Sequence, residues 1–279
     1  MKIYLDSKDV IDIFQNDHPC SASVFQKYVV EGGHEIVLSS YTIVEISAPL
    51  LDPFTHGNVM ILLNELEKFP ILYVHPDLRG LELKEALHAF SSKGEYQPVN
   101  PFVMRFDQTL DLSANPETLR FLNYSLTEIV WDVYATGGLK GLETFAKPMR
   151  ALISKDRKIA RPPSLASHFT KVIERNLRDD GLSCSEVKSF ANWIYTNPHR
   201  CPGIKLSYEV WHQIVKNRTD GLEDSDMEDY QHLICLPYVD RITLDRRMYG
   251  YVFQAAKKIG VDTGGMFRSI GDIWKQETE

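Results

Sequence analysis

The chain has 279 residues, of which 43% are hydrophobic and 25% are charged, and its formal net charge is −7. These values are typical of a globular protein with a sizeable core, and the apolar stretches are too short for a transmembrane helix, so we expect no membrane association. The four cysteines are scattered without any CxxC spacing. This argues against a disulfide framework or a zinc site and predicts reduced thiols in a cytoplasmic protein.

The first 74 residues alternate between strand and helix patterns. Short apolar runs at 2–5, 35–39 and 71–75 predict strands. Helical periodicity fills the sequence between them, and the pair Gly32 and Gly33 is typical of a helix end. Because parallel strands need crossover connections, this alternation indicates an α/β fold with a parallel sheet flanked by helices.

The pattern changes between residues 75 and 221. Helical periodicity is interrupted there by Pro, Gly and Asn, and alternating or β-branched runs are nearly absent. The segment is too long for a loop in a compact domain, which predicts a large helical insertion over 75–221. After it the α/β pattern returns, with a strand at 241–244 followed by a helix. We therefore expect 1–74 and 222–279 to be the two parts of one core.

The insertion contains a basic segment within an otherwise acidic chain. Between Lys147 and Arg218 there are fourteen Lys and Arg against six Asp and Glu. Such an excess is either an electrostatic footprint for a nucleic acid or the solvated face of ordinary helices. Since an acidic site repels a polyanion, this segment is a natural phosphate-backbone surface. We predict its contacts at Lys155, Arg157, Lys158 and Arg161.

Four carboxylates lie at or near the ends of the predicted strands of the core. Asp6 ends the first strand, Glu45 lies early in the helix after the second, and Asp245 ends the strand at 241–244. Asp229 lies in the helix that precedes this last strand. Ligands of a parallel sheet bind beyond the carboxyl ends of its strands, so we expect these side chains to converge. Carboxylates at one place repel each other without a cation, and all-oxygen ligation suits Mg²⁺ or Mn²⁺.

The same carboxylates also have structural interpretations. Asp6 and Asp245 are suitable N-caps for the helices that follow them, and Thr42 with Glu45 matches a capping box. Any one of these assignments as a metal ligand would be weak. Four carboxylates at the same kind of topological position are stronger evidence together.

The helix that contains Asp229 carries further candidates. Ser225 and Glu228 match a second capping box, which predicts a helix start at this point. Asp226, Asp229 and His232 then lie on one face because they are three residues apart. Asp226 is a further candidate metal ligand, or it only complements the helix dipole. For His232 we favour a helix histidine satisfied by a neighbour over contact with a metal or phosphate.

Three segments together resemble the PIN (PilT N-terminus) domain family. They are the N-terminal strand ending in Asp6 and Ser7, residues 38–45 ending in Glu45, and residues 229–245, whose final Asp245 is followed by a basic residue. The resemblance covers about 1–74 and 222–279. It implies a PIN-like α/β/α fold, and it implies one catalytic and metal-binding quartet: Asp6, Glu45, Asp229 and Asp245.

The function implied by the resemblance is that of a metal-dependent ribonuclease. One or two Mg²⁺ or Mn²⁺ ions would activate water and stabilise the charge that builds on the phosphoryl group. Arg246 and Arg247 would contact phosphate, or they are surface arginines. Many bacterial PIN domains are toxins of toxin–antitoxin pairs, which implies an inhibitory protein partner, and a homo-oligomer is also left open.

Other functional classes fit the sequence less well. A phosphatase of the haloacid dehalogenase type needs a second Asp two residues after the first, where Lys8 stands here. No Walker A loop, GxGxxG or HExxH motif occurs, which argues against an ATPase, a dinucleotide enzyme or a zinc protease. The remaining alternative is a catalytically inactive PIN-like scaffold that binds RNA or protein.

Overall fold

The computed structural model contains a six-stranded sheet flanked by helices. It describes residues 1–14, 22–47, 54–105, 124–135, 150–158, 169–171, 173–174, 177, 183–219, 221 and 223–278. Within these ranges no helix is long and apolar enough to cross a membrane. The sequence pattern over 139–153 predicts a helix, and this range falls largely outside the described residues.

The sheet has the strand order β4-β3-β2-β1-β5-β6. Its strands are β1 (Lys2–Tyr4), β2 (Glu35–Leu38), β3 (Ile71–Val74), β4 (Phe102–Val103), β5 (Arg241–Thr243) and β6 (Met266–Phe267). All neighbouring strands are parallel except β3 and β4, which are antiparallel. The predicted α/β class is therefore confirmed, but the sheet is mixed and not purely parallel.

Helices connect the strands and cover the sheet. Those before β5 are α1 (Ser7–Phe14), α2 (Ala22–Glu31), α3 (Ser40–Ser47), α4 (His56–Leu66), α5 (Leu78–Ser92), α6 (Leu126–Ala135), α7 (Cys184–Thr196), α8 (Pro202–Lys216) and α9 (Asp224–His232). After β5 follow α10 (Arg246–Ile259) and α11 (Ile270–Thr278). Residues 150–158 are also helical.

The antiparallel strand β4 forms because the chain, after leaving the sheet at β3, returns to the same edge and runs beside β3 in the opposite direction. After β3 and α5, residues 93–101 lead back to this edge, where the His75 N–H donates to the Pro101 carbonyl at 2.8 Å. β4 therefore lies within the range predicted to be helical. β4 and β6 have only two residues each, too few to show a period, and the sequence predicts neither.

Both faces of the sheet are buried. Ile3 and Leu5 belong to one core cluster, whereas Tyr4 between them belongs to the other. Val37 lies on the Tyr4 face, and its neighbour Ile36 lies on the opposite face. Successive residues of a strand point to opposite faces, so a sheet covered on both sides requires the continuous apolar runs seen in the sequence.

Helices from the range 75–221 contribute to both of these clusters. Leu206 and Val210 of α8 pack on the Tyr4 face, and Ile129 of α6 packs on the Ile3 face. A third cluster among these helices includes Phe169 and Phe190. The helices of this range thus cover the sheet and also form a hydrophobic core of their own.

Two helix boundaries differ from those predicted. The helical pattern of the sequence predicts a helix from Ser207, but helix α8 begins five residues earlier, at Pro202. Proline fits the first position of a helix without loss of a hydrogen bond. Helix α9 ends at His232, and the chain continues to Tyr238 as a 3-10 helix that includes Pro237. Pro237 predicts a helix end at this point of the sequence, but the α-helix already ends five residues before it.

Candidate functional site

The candidate site lies at the carboxyl edge of the sheet, where β1 runs between β2 and β5. Asp6 follows β1, Asp245 follows β5, and Glu45 lies on the helix α3 that follows β2. Helix α9 brings Asp229 to the same edge. Since these three strands are parallel, their carboxyl ends face one side, as the sequence predicts.

The electrostatics of Asp229 show that the carboxylates share one neighbourhood. Burial of Asp229 raises its pKa, and the negative charges of four other carboxylates raise it further, to about 8: Asp6, Asp245, Glu45 and Asp226. The pKa of Asp6 is raised as well, first by burial and then by the charges of Asp9 and Glu45. The other three members of the predicted quartet, together with Asp226, therefore lie within electrostatic range of Asp229.

A small cavity lies among these residues. It has a volume of about 10 Å³ and is lined by Tyr4, Asp6, Ser7, Asp229, His232, Thr243 and Leu244. The Asp6 N–H donates to the Thr243 hydroxyl at 2.8 Å, which fixes the turn after β1 against the end of β5. The volume is close to the minimum for a single water molecule, so the cavity suits one small ligand atom or ion.

The chemistry of the carboxylate groups favours metal binding, whereas the distances between them do not. The donors are carboxylate oxygens, which suit Mg²⁺ or Mn²⁺, and a cation would relieve the repulsion that raises the Asp229 pKa. Within the described ranges, however, no three His, Cys, Asp or Glu side chains are arranged to hold one ion. The residues therefore fit a hard divalent cation by chemistry, and their side chains would have to move closer to enclose it.

Glu45 is held in place from two sides. The Ser7 hydroxyl donates to its Oε2, and its Oε1 lies 3.3 Å from the His232 Nε2. Burial raises the pKa of Glu45, but the hydrogen bond and charge of His232, together with the Ser7 hydrogen bond, outweigh burial and lower it. Glu45 is therefore an ionised acceptor, and the His232 Nε2 is the donor to it.

The other nitrogen of His232 connects the carboxylates to buried hydroxyl groups. Its Nδ1 contacts the Tyr4 hydroxyl and lies 3.2 Å from the Ser39 Oγ. The Tyr4 hydroxyl also contacts Ser39 and Thr42, at 3.0 and 2.9 Å. The Tyr4 oxygen thus links the imidazole to the hydroxyl groups of Ser39 and Thr42, and the phenol donates its own proton to the Ser39 Oγ. The predicted neighbour-satisfied histidine is confirmed.

Sequence reasoning did not select Tyr4 or Ser39 for this site. The sequence did contain an indication of this network, because the phenol of Tyr4 lies in the middle of an otherwise apolar strand. A fully buried tyrosine needs a partner for its hydroxyl, and Tyr4 is 1% exposed. This requirement points to polar groups on the helices beyond the strand.

Both predicted capping boxes are wrong. Helix α3 is capped by Ser39, whose Oγ accepts from the Thr42 N–H at 3.0 Å, so Glu45 lies beyond the first turn. Helix α9 has its capping box at Glu223 and Asp226, because Glu223 is the last residue in an extended conformation. The helix therefore begins before Ser225.

The predicted caps at the two strand ends are present. Asp245 caps α10 by accepting from the Met248 N–H. Asp6 accepts from the Lys8 N–H at 2.9 Å. A carboxylate can retain such a hydrogen bond and still bind a cation, since each has two oxygens and about four acceptor positions.

Asp226 and Arg247, predicted as metal ligand and phosphate contact, pair with each other. Their Oδ2 and Nη1 atoms are 2.6 Å apart, and the Asp226 side chain is only 5% exposed. Asp226 also accepts from the Glu223 N–H at 2.7 Å, and the Arg247 Nη2 lies 3.3 Å from the Glu223 carboxylate. This cluster ties the start of α9 to the start of α10.

Replacing Arg247 with alanine should lower the free energy of unfolding, because it leaves the buried Asp226 carboxylate without its cation. We expect a loss on the order of 3 kcal/mol in urea denaturation without nucleic acid. Arg246→Ala is the matched control, since the neighbouring Arg246 is exposed, and it should change stability by less than about 0.5 kcal/mol. Equal stability of the two variants would contradict a structural role for Arg247.

The predicted basic contacts have different surroundings. Lys155 and Lys158 are exposed. Arg157 donates from Nε and Nη2 to the Ile214 carbonyl, at 3.2 and 2.9 Å, and thereby supports the last turn of α8. Arg161 lies outside the described residues. Two lysines of the four predicted contacts are thus shown on the surface.

Comparison with known proteins does not assign a family. No protein-family model matches the chain, and no significant match was found to a curated protein or to a solved structure. The PIN resemblance stays a prediction from the sequence.

Proposed function

We propose that this protein is a PIN-like, divalent-metal-dependent nuclease that hydrolyses phosphodiester bonds in RNA. The observation that carries the proposal is the raised pKa of Asp229, to which four other carboxylates contribute. Such a concentration of negative charge destabilises the fold in the absence of a cation, which points to a functional rather than a structural origin. The toxin role and the inhibitory protein partner belong to the same proposal.

The residues of the site would have two kinds of role, metal binding and positioning of the metal ligands. Asp6, Asp229 and Asp245, with Glu45, would hold Mg²⁺ or Mn²⁺. A bound ion of this kind supplies a water of lowered pKa and neutralises charge on the phosphoryl group. Ser7 and His232 fix the Glu45 carboxylate, and Thr243 fixes the backbone of Asp6. The chain thereby positions two of the four carboxylates before any ion binds.

The second candidate function is a PIN-like scaffold that binds RNA or protein without cleaving it. The ion pair of Asp226 with Arg247 favours this alternative, because it neutralises one of the carboxylates near the site. The quartet itself has no such partner arginine among the described contacts of its members. We therefore place the nuclease first.

A nuclease assay on the purified protein separates the two functions. RNA and single-stranded DNA are each incubated with Mn²⁺, with Mg²⁺ or with a chelator. We expect metal-dependent cleavage of RNA that falls at least about 100-fold in Asp6→Asn, the loss typical of removing a key catalytic group. Asp12→Asn on α1 is the matched control and should retain activity, because Asp12 is not among the carboxylates that act on Asp229.

Three results would contradict the nuclease. Cleavage that persists in the chelator, or that is unchanged in Asp6→Asn, would not come from this site. RNA binding without cleavage under every metal condition would support the scaffold.

A further inference from the structure

A second, larger cavity opens beside the carboxylates, at the carboxyl ends of β2 and β3. It has a volume of about 330 Å³, and its lining includes Tyr41, His75, Arg79 and His232. His232 also lines the small cavity that contains Asp6 and Asp229. Because this one imidazole borders both cavities, a ligand in the larger cavity would lie next to the carboxylates.

Arg79 supplies positive charge to this larger cavity. It lies in the first turn of α5, is exposed, and hydrogen-bonds to no other residue that the structure describes. Burial raises the pKa of the Tyr41 phenol, and the charge of Arg79 opposes this increase, which places the guanidinium near the ring. The charge of Arg79 also lowers the pKa of the buried Glu82 carboxylate, but among the described residues the guanidinium makes no salt bridge. Its N–H groups can therefore bind phosphate in pairs.

The rest of the lining suits a nucleoside. Tyr41 is half-buried, and its ring centroid lies 6.0 Å from that of His232 in an edge-to-face arrangement. The Asp77 N–H donates to the His75 Nδ1 at 3.1 Å, so the neutral His75 ring has its own N–H donor at Nε2. Val74, Leu78 and Ile234 add apolar surface. An aromatic ring with nearby donors is the usual platform for a base of single-stranded nucleic acid.

We propose that this cavity binds one nucleotide of the substrate, with its phosphate at Arg79 and its base against Tyr41. The proposal rests on the proposed nuclease function, since it places this nucleotide directly beside the bond to be cleaved. The volume falls within the range of small-ligand sites, about 300 to 1,000 Å³.

The charge distribution explains why such a subsite is needed. The carboxylates repel the phosphates of RNA, and a cation outside the quartet would offset that repulsion locally, also for phosphates that the metal ion does not contact. Arg79 lies on the β3 side of the site, where the chain provides its own positive charge next to the acidic cluster. The cavity would therefore set the register of the strand as well as its affinity.

Binding of 5′-AMP in the presence of a chelator tests the subsite without metal and without catalysis. Isothermal titration calorimetry should show binding to the wild type, and Arg79→Ala should weaken it about tenfold or more, as expected for a lost charge-assisted hydrogen bond. Lys84→Ala is the matched control on the same helix, because the Lys84 side chain is 78% exposed and does not line the cavity. It should change the affinity less than about twofold.

Adenosine and inorganic phosphate separate the two halves of the subsite. Tyr41→Ala should weaken adenosine and 5′-AMP but leave phosphate unchanged, whereas Tyr41→Phe, which keeps the ring, should bind 5′-AMP like the wild type. Failure of the wild type to bind 5′-AMP, or equal binding by Arg79→Ala, would overturn the proposal.

The outcome can be separated from that of the nuclease proposal. Asp6→Asn should lose RNA cleavage and still bind 5′-AMP at least as tightly as the wild type. If RNA is never cleaved but Arg79 controls 5′-AMP binding, the subsite stands and the nuclease fails. If RNA is cleaved and Arg79→Ala binds 5′-AMP normally, the nuclease stands and the subsite is wrong.

Discussion

Asp229→Asn is expected to stabilise the metal-free protein at neutral to alkaline pH. The pKa of this carboxyl is raised to about 8 in the folded chain, by burial and by the neighbouring carboxylates. A full shift of this size would correspond to about 6 kcal/mol, and relaxation of the partly exposed site reduces what we expect to about 1 to 3 kcal/mol. Asparagine keeps the shape and removes the charge.

The sign of the pH dependence follows from the raised pKa. Below about pH 4 Asp229 is protonated in the folded and in the unfolded chain. The stability that the folded chain gains by holding this proton more tightly is then fully present. At higher pH the unfolded chain loses this proton first. When the pH rises through about 8 the folded chain loses it as well, and the stability gained from the tighter binding of the proton disappears. The gain from Asp229→Asn should therefore be larger at pH 8 than at pH 5.

Urea denaturation at these two pH values, with chelator or with Mn²⁺, measures the effect. Manganese should stabilise the wild type more than Asp229→Asn, because the cation offsets the charge that the variant lacks. Asp12→Asn serves as the control and should show neither change. A wild type and Asp229→Asn of equal stability at both pH values would show that the carboxylates do not destabilise the fold.

Glu82→Ala is expected to be the most destabilising single change considered. Glu82 is fully buried and accepts from the N–H groups of Gly203 and Ile204, at 2.8 and 2.9 Å, and from the Tyr238 hydroxyl. Burial raises its pKa, while these hydrogen bonds oppose the increase. Alanine would leave two N–H groups at the start of α8 without an acceptor, and a cavity beside them.

The close packing around Glu82 prevents neighbouring groups from moving to replace its hydrogen bonds. A Cβ at Gly203 would lie 2.3 Å from the Ile234 carbonyl, so the start of α8 sits directly against the 3-10 helix at Leu233–Tyr238. We expect a loss of about 3 to 5 kcal/mol, a large share of the 5 to 15 kcal/mol typical of a domain. Glu95→Ala, at an exposed position, should cost less than about 0.5 kcal/mol. A loss below about 1 kcal/mol for Glu82→Ala would contradict this role.

Much of the sheet was predictable because its strands are covered on both faces. The apolar runs that contain Ile3, Val37, Leu72 and Ile242 are visible in the sequence and form the four central strands. The edge strands β4 and β6 were not predictable, since a strand of two residues is too short to show an alternation of apolar and polar positions. Their pairing depends on where the neighbouring helices return the chain, which is a tertiary effect.

The candidate site was predictable in outline and not in its details. The positions of Asp6 and Asp245 follow from the rule on strand ends, and Asp245 is also the N-cap that its sequence suggests. The network of Tyr4, Ser39 and His232 could not be read from the sequence, because its members are separated by up to 228 residues and their hydroxyl groups have many alternatives. Arg79 was missed for the same reason, since its importance comes from the cavity that it lines.

The pairing of β1 with β5 has a consequence for how the protein is made. Ile3 pairs with Arg241, so one edge of the central strand stays unpaired until residues 241–243 have been synthesised and have reached it. Contacts this distant in sequence form slowly, and an open strand edge invites pairing with other chains in the meantime. Asp245 lies just beyond β5, so the four carboxylates cannot meet on a nascent chain that lacks this segment. Chaperone protection of the growing chain and late onset of any activity would then have the same structural origin.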